Sequence, residues 1–311
     1  MRNLIIDLDA IAYNLDVMRQ RAGGVKVCGV VKANAYGHGM IEVARKLEEA
    51  GVDYLGVADV AEALELRRAG IDAPILAWLH DPHEMFVEAL NEGIELGLAN
   101  EDHLARVAAA AEITGRLARV HLKVDTGLNR NGASAAEWEG VLRQARALVA
   151  EGFIQVVGIF SHLSSTGEAE DLAQIARFDA AVEIARESGL QFELRHLTAS
   201  DGSLNYPQAQ YEMVRVGVAL YGLSPFADHH SKEYGLRPAM TATTHVTQVK
   251  RVPAGEGVSY GYLHRTASET TLALIPVGYA EGLPRNASGN ASVSINGKTY
   301  AISSRIAMDQ F

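Results

Sequence analysis

Eight short apolar runs punctuate the first two-thirds of the chain, at residues 25–31, 54–57, 75–79, 94–99, 119–124, 155–160, 194–197 and 213–218. Between most of them lie segments rich in Ala, Leu, Glu and Arg with helical spacing, such as 60–69, 101–112, 134–151 and 172–188. Ahead of the first run, residues 7–14 predict a short strand and an N-capped helix with Ile11, Leu15 and Met18 on one face. Continuous apolar strands alternating with helices predict a parallel sheet covered on its faces. Eight such units fit a (β/α)8 TIM-type barrel better than an open doubly wound sheet, because no Gly-x-Gly-x-x-Gly turn opens the first helix. An open sheet remains the alternative.

The pattern changes after Pro225. Residues 228–233 are polar, and alternating β-type runs follow at 241–252, 270–275, 291–295 and 299–303. Turn signals separate them at 253–257 and at Asn296-Gly297. The expected organisation is a barrel over residues 1–227 and a mostly β domain over 228–311.

Composition narrows the function classes. Of the 311 residues 48% are hydrophobic and 21% charged, as in a soluble globular chain. A formal charge of -10 without a Lys/Arg run argues against a nucleic-acid partner. Cys28 is the only cysteine, which excludes an internal disulfide and a cysteine metal cluster. Asp7 and Asp9 stand where a signal peptide needs an apolar run, and no apolar stretch approaches a membrane-spanning length. A soluble, cytoplasmic protein is expected, with no membrane association and no bound metal.

In a barrel, chemistry gathers after the C-terminal ends of the strands. Those positions hold Lys32, Asn34 and Tyr36, then Lys123, Asp125, Asn129 and Arg130, then Ser161 and His162. His196, Thr198 and Ser200 follow the seventh run, and Arg215, Gly217 and Tyr221 the eighth. Lys32 is the pivotal case. A lysine ending a buried strand ordinarily snorkels to the rim or pairs with a carboxylate, but a desolvated amine can instead form a Schiff base. Ser200 and the backbone near Gly217 and Val218 suit a phosphate. A phosphate site opposite a strand-end lysine is what a pyridoxal phosphate pocket requires. Taken singly, His162 reads as a core histidine, Arg215 as an ion-pair residue and Tyr260 as a turn or interface tyrosine. Asp7 and Asp125 read as caps or orienting groups, and His229-His230 as a solvated linker.

The stretch Val31 to Gly39 (VKANAYGHG) resembles the cofactor-lysine signature of alanine racemases. Collinear matches run along the chain: residues 6–10 (IDLDA), 123–132 (KVDTGLNRNG), 158–162 (GIFSH), 213–223 (MVRVGVALYGL), 258–261 (VSYG), 276–285 (PVGYAEGLPR) and 305–311 (RIAMDQF). The resemblance implies a pyridoxal 5'-phosphate enzyme that interconverts L- and D-alanine by two-base proton exchange, supplying D-alanine for peptidoglycan. Lys32 would hold the cofactor and act as one base. Tyr260, contributed by the partner chain of a homodimer with shared active sites, would act as the other. Arg215 would hydrogen-bond the pyridine nitrogen, with His162 linking it to the tyrosine. Tyr36, Ser200, Gly217 and Val218 would hold the phosphate. Arg130 and the backbone near Met308 would hold the substrate carboxylate, Tyr279 would line the entrance, and Lys123 matches a lysine that can be carbamylated.

Three positions depart from the family pattern. Ala307 replaces a frequent Cys, Ser304 a frequent Gly, and Glu281 the usual Asp, all in loops expected to influence substrate preference. The family also continues past the position matched by Phe311, so an incomplete β domain with open strand edges is expected. The alternatives are a racemase of broader specificity, for serine or other amino acids, and a pyridoxal phosphate carrier without catalysis. A decarboxylase on the same two-domain plan would place an acid where Arg215 stands.

Overall fold

The computed structural model describes residues 2–84 and 86–311. It divides into two compact units, Asp7–Ala239, and the residues up to Ile6 together with Met240–Phe311.

After β1 (Asn3–Ile6) come eight parallel strands: β2 (Lys26–Val30), β3 (Tyr54–Val57), β4 (Ile75–Ala77), β5 (Glu95–Leu98), β6 (Ala118–Lys123), β7 (Ile154–Phe160), β8 (Leu194–His196) and β9 (Met213–Val216). They are ordered β8-β7-β6-β5-β4-β3-β2-β9. The ends of that order approach each other, since Arg215 N–H donates to Thr198 O at 3.0 Å just beyond β8. Every residue of β3, β4, β5 and β9 is buried, which is why their sequences read as mostly apolar runs, with Glu95 and Arg215 the charged exceptions. The architecture is the expected barrel-like α/β sheet, with the helices between successive strands. Asp7, Asp59 and Asn100 cap three of those helices, each accepting a backbone N–H at 2.8–2.9 Å. Among the described residues no helix is long and apolar enough to cross a membrane.

The second unit consists of two-stranded antiparallel ladders. β1 pairs with β10 (Met240–Thr243), Gln248–Val252 with Thr270–Leu274, and Ser292–Ile295 with Lys298–Ala301 across an Asn296-Gly297 turn in which both φ are positive. The single run expected over 241–252 is thus two strands, because its halves pair with different partners.

The boundary also differs from the expected 227/228. Residues 228–239 stay with the barrel unit because they are tied to the first helix, Leu8–Arg21. Its buried Asn14 donates to Leu220 O and Arg237 O at 2.9 and 2.8 Å and accepts from Arg237 N at 2.8 Å. Leu236 and Ala239 are buried as well. At the other end, residues up to Ile6 leave the barrel unit because β1 finds its ladder on β10. Asn14→Ala orphans two carbonyls and one N–H, and should cost about 2–4 kcal/mol in urea unfolding.

Candidate active site

A cavity of about 220 Å³ opens at the C-terminal ends of the barrel strands, and its wall comes wholly from the 7–239 unit. Lys32 reaches it from just beyond β2, Lys123 from the end of β6, His162 from beyond β7 and Arg215 from β9.

The chain turns sharply at Lys32. Ala33, Asn34, Ala35 and Tyr36 all have φ between 53° and 55°, one turn of left-handed helix built without glycine. Each such residue is strained, by about 1–2 kcal/mol, so the turn needs external support. Glu62 supplies it, accepting Ala33 N–H at 2.6 Å through one oxygen and Ala58 N–H at 2.7 Å through the other. Asn34 Oδ1 accepts Met40 N–H at 2.9 Å, which ties the turn to the next helix. The turn sets Tyr36 against Tyr221, with ring centroids 4.8 Å apart, and brings it to the cavity beside Gly217. A Cβ at Gly217 would collide with the Tyr36 hydroxyl, so only glycine permits that approach.

Arg215 is buried and heavily bonded. Its Nη1 donates to His196 Nδ1 and to His196 O, both at 2.9 Å. Its Nη2 meets Ser161 O at 2.7 Å, Leu197 O at 3.0 Å and His162 Nδ1 at 3.0 Å. Burial lowers its pKa to about 10, so the guanidinium stays charged at neutral pH. Nε–H makes no protein hydrogen bond among the described residues.

Positive charge dominates the rest of the site. Burial, then Arg130 and Arg215, lower the Lys32 pKa against an opposing pull from Glu62. Burial, then Arg215 and Arg130, bring Lys123 down to about 8, with its ammonium 5.4 Å above the Phe160 ring. Burial and the same two arginines hold His162 at about 3, so it is neutral. The opposite wall is rich in neutral donors. The Ser200 hydroxyl accepts Gly217 N–H at 3.1 Å, leaving its own O–H available, and burial keeps the Tyr36 phenol protonated by raising its pKa. The cavity therefore has an amine with a weakened hold on its proton, a donor-rich end fit for an anion, and a donor-only guanidinium.

Nine of the expected site residues line this one cavity: Lys32, Tyr36, Lys123, Arg130, His162, Ser200, Arg215, Gly217 and Val218. The other three, Tyr260, Tyr279 and Met308, lie in the second unit and are exposed by 71%, 43% and 59%. Asp7 caps a helix, and Asp125 accepts Gly127 and Asn129 N–H groups in the loop leading to Arg130.

Two family models together cover nearly the whole chain: "Alanine racemase, N-terminal domain" over residues 6–225 and "Alanine racemase, C-terminal domain" over 239–311. The chain belongs to the alanine racemase family. Alanine racemases of Frankia casuarinae and Thermobifida fusca are 46% and 45% identical to it, over 99% and 98% of this chain and 81% and 82% of their own lengths. The crystal structure of alanine racemase from Streptomyces lavendulae is 44% identical and superposes with a TM-score of 0.96, covering all of this chain and 82% of that one.

This alanine racemase family member also lines its cavity with Trp78, Phe160 and Asp201, which the polar strand-end reading passed over. Trp78 falls inside the apolar run expected over 75–79, whereas the strand ends at Ala77 and leaves Trp78 just beyond it. Lys32 Nζ lies 6.0 Å from its ring centroid. Lys123 generates a pH signature. Between about 8 and the usual lysine value of 10.5 the folded chain binds fewer protons than the unfolded one, so its contribution makes stability rise with pH in that window. Lys123→Met should flatten the rise, read as the change in urea midpoint across the window.

Proposed function

We propose that the protein interconverts L- and D-alanine with pyridoxal 5'-phosphate as cofactor, and that it works as a homodimer. The observation carrying this reading is the convergence on one cavity of Lys32, a donor-rich anion end and the unused Nε–H of Arg215. The residues fit the group. Lys32 would hold it covalently through its amine, and Tyr36, Ser200 and the Gly217–Val218 backbone would hold its phosphate. Arg215 Nε–H would donate to its ring nitrogen. When bound, pyridoxal phosphate withdraws electron density from the substrate and acidifies the Cα–H.

Inversion then needs two bases on opposite faces. Lysine and tyrosine both titrate near 10 when unperturbed, so each requires help to act near neutrality. The Lys32 amine has it from burial and from Arg130 and Arg215, which disfavour its charged form. Tyr260 from a second copy of the chain would serve the other face. His162 Nδ1 is occupied by Arg215, so its ring proton sits on Nε2 and can be donated toward a phenolate, stabilising the base form of such a tyrosine. Arg130 would hold the substrate carboxylate with the Met308 backbone, and Tyr279 would line the entrance. Lys123, poised at about 8, has a neutral fraction able to take up carbon dioxide, and its carbamate would steady Arg130. Because a guanidinium rarely surrenders a proton, Arg215 would leave the ring nitrogen unprotonated and so would keep the chemistry to proton exchange. The same reading puts the enzyme in the cytoplasm, supplying D-alanine for peptidoglycan.

Purified protein should show a cofactor absorbance band that is lost in Lys32→Ala, and should exchange the Cα hydrogen of both alanine enantiomers in deuterium oxide without releasing carbon dioxide. Absence of exchange in cofactor-loaded protein would overturn the reading. Lys32→Ala and Tyr260→Phe chains, each inactive alone, should regain activity when mixed into heterodimers. Heterodimers that form and stay inactive would exclude shared sites.

A further inference from the structure

A chain of buried polar side chains runs down the barrel interior from Arg215, away from the cavity. Arg215 Nη1 meets His196 Nδ1 at 2.9 Å, His196 Nε2 meets His121 Nδ1 at 2.9 Å, and His121 Nε2 meets Glu95 Oε2 at 2.8 Å. Glu95 Oε1 accepts Arg119 Nε–H at 2.7 Å. His121 and His196 are fully buried, Glu95 and Arg215 nearly so, while Arg119 is part-exposed. None of Glu95, His121 or Arg119 touches the cavity.

The ends of this chain dictate its direction. A guanidinium only donates, and an ionised carboxylate only accepts. Burial raises the Glu95 carboxyl, but the bonds from His121 and Arg119 outweigh it and leave the group below its ordinary value, hence ionised. Each imidazole must therefore accept at Nδ1, on the Arg215 side, and donate from Nε2, on the Glu95 side. Both rings are then neutral with the proton on Nε2, and any other assignment sets donor against donor. Burial, with Arg215 nearby, also pushes His196 far below its normal titration range. The rings cannot easily turn to escape. His196 stacks on Phe160 at 4.8 Å and 10°, and a Cβ at Gly158 would sit 2.7 Å from His121 Nδ1.

We propose that Glu95 and His121 are remote positioning residues: through His196 they hold Arg215 in the one orientation that commits both Nη groups to the protein and leaves Nε–H for the site. The first half of this statement stands on the chain of bonds alone, and the second rests on the role proposed for Arg215 above.

Glu95→Gln is the sharp perturbation because it keeps size and removes one acceptor. The introduced amide has a single oxygen for two donors. The permanently charged Arg119 takes it, and the amide N–H₂ then faces His121 Nε2. The His121 proton must move to Nδ1, the His196 proton follows to Nδ1, and an N–H now opposes Arg215 Nη1–H. Tyr54, which interacts with both Glu95 and Arg119, offers its hydroxyl oxygen as a substitute acceptor for Arg119, so the substitution is made in a Tyr54→Phe background. Removing Arg119 as well returns the amide oxygen to His121. Glu95→Gln/Arg119→Ala should therefore recover what Glu95→Gln loses, and the return of both histidine tautomers with it is the readout that a merely structural role for Glu95 does not give.

Nitrogen-15 spectra of histidine-labelled, cofactor-loaded protein read the tautomers directly, with His121→Asn and His196→Asn spectra for assignment. The wild type should show both rings neutral with the proton on Nε2. Glu95→Gln should shift both to Nδ1 and lower kcat about tenfold with little change in KM, and the double variant should reverse both effects. A wild-type ring that carries its proton on Nδ1, or is protonated at neutral pH, overturns the relay even if no variant folds. Inverted tautomers with unchanged kcat overturn its link to Arg215. A wild-type protein that exchanges no alanine proton fails the racemase reading instead, and the tautomers alone then decide the relay.

Discussion

A buried guanidinium is a demanding group, and this site is built around satisfying one. Taking a charge out of water is tolerable only when its donors are matched by acceptors. Arg215 obtains them from the carbonyls of Ser161, His196 and Leu197 and from two imidazoles. Those carbonyls belong to the chain as it leaves β7 and β8, so the charge knits together the ends of three strands. Burial first, and then the same charge together with Arg130, depresses proton affinity at Lys32, Lys123 and His162. Architecture and electrostatics thus meet at one group.

The second constraint is steric. Lys32 must leave a strand and present its amine to a cavity while Tyr36, four residues on, reaches the same cavity. A right-handed turn would send the chain the other way. The left-handed turn achieves the placement at the expense of strain, offset where Glu62 accepts Ala33 N–H and where Asn34 ties the turn to Met40 N–H of the next helix. Glu62 thereby serves both backbone and charge, since its carboxylate partly offsets the cations that act on Lys32.

Much of the fold is legible in the residues because burial on both faces writes itself as short, mostly apolar runs. The runs around β3, β7 and β9 can be located without a structure for that reason. Asn296-Gly297 is legible because few other pairs adopt two positive φ values cheaply. The left-handed turn is not, since Ala, Asn, Ala and Tyr prefer other conformations and tertiary contacts force the issue. Nor is the pairing of β1 with β10, which leaves no local trace. Within the site, strand-end chemistry brought Lys32, His162 and Arg215 into view, whereas Glu95 and His121 stayed hidden inside strands. Their signal is parity: Arg119, His121 and Lys123 alternate with apolar neighbours along β6, one polar stripe aimed into the barrel.

The ladder between β1 and β10 has a consequence for synthesis. Asn3 is synthesised well before its partner Thr243, which appears only after every barrel strand has been made. The barrel's neighbours in space are mostly neighbours in sequence, so it can assemble progressively as the chain grows. β1 must wait with its backbone edge unpaired until β10 has been made. A ligand for exposed strand edges, such as a chaperone, would find its best target there in the nascent chain, and slowing synthesis near residue 240 would lengthen that exposure.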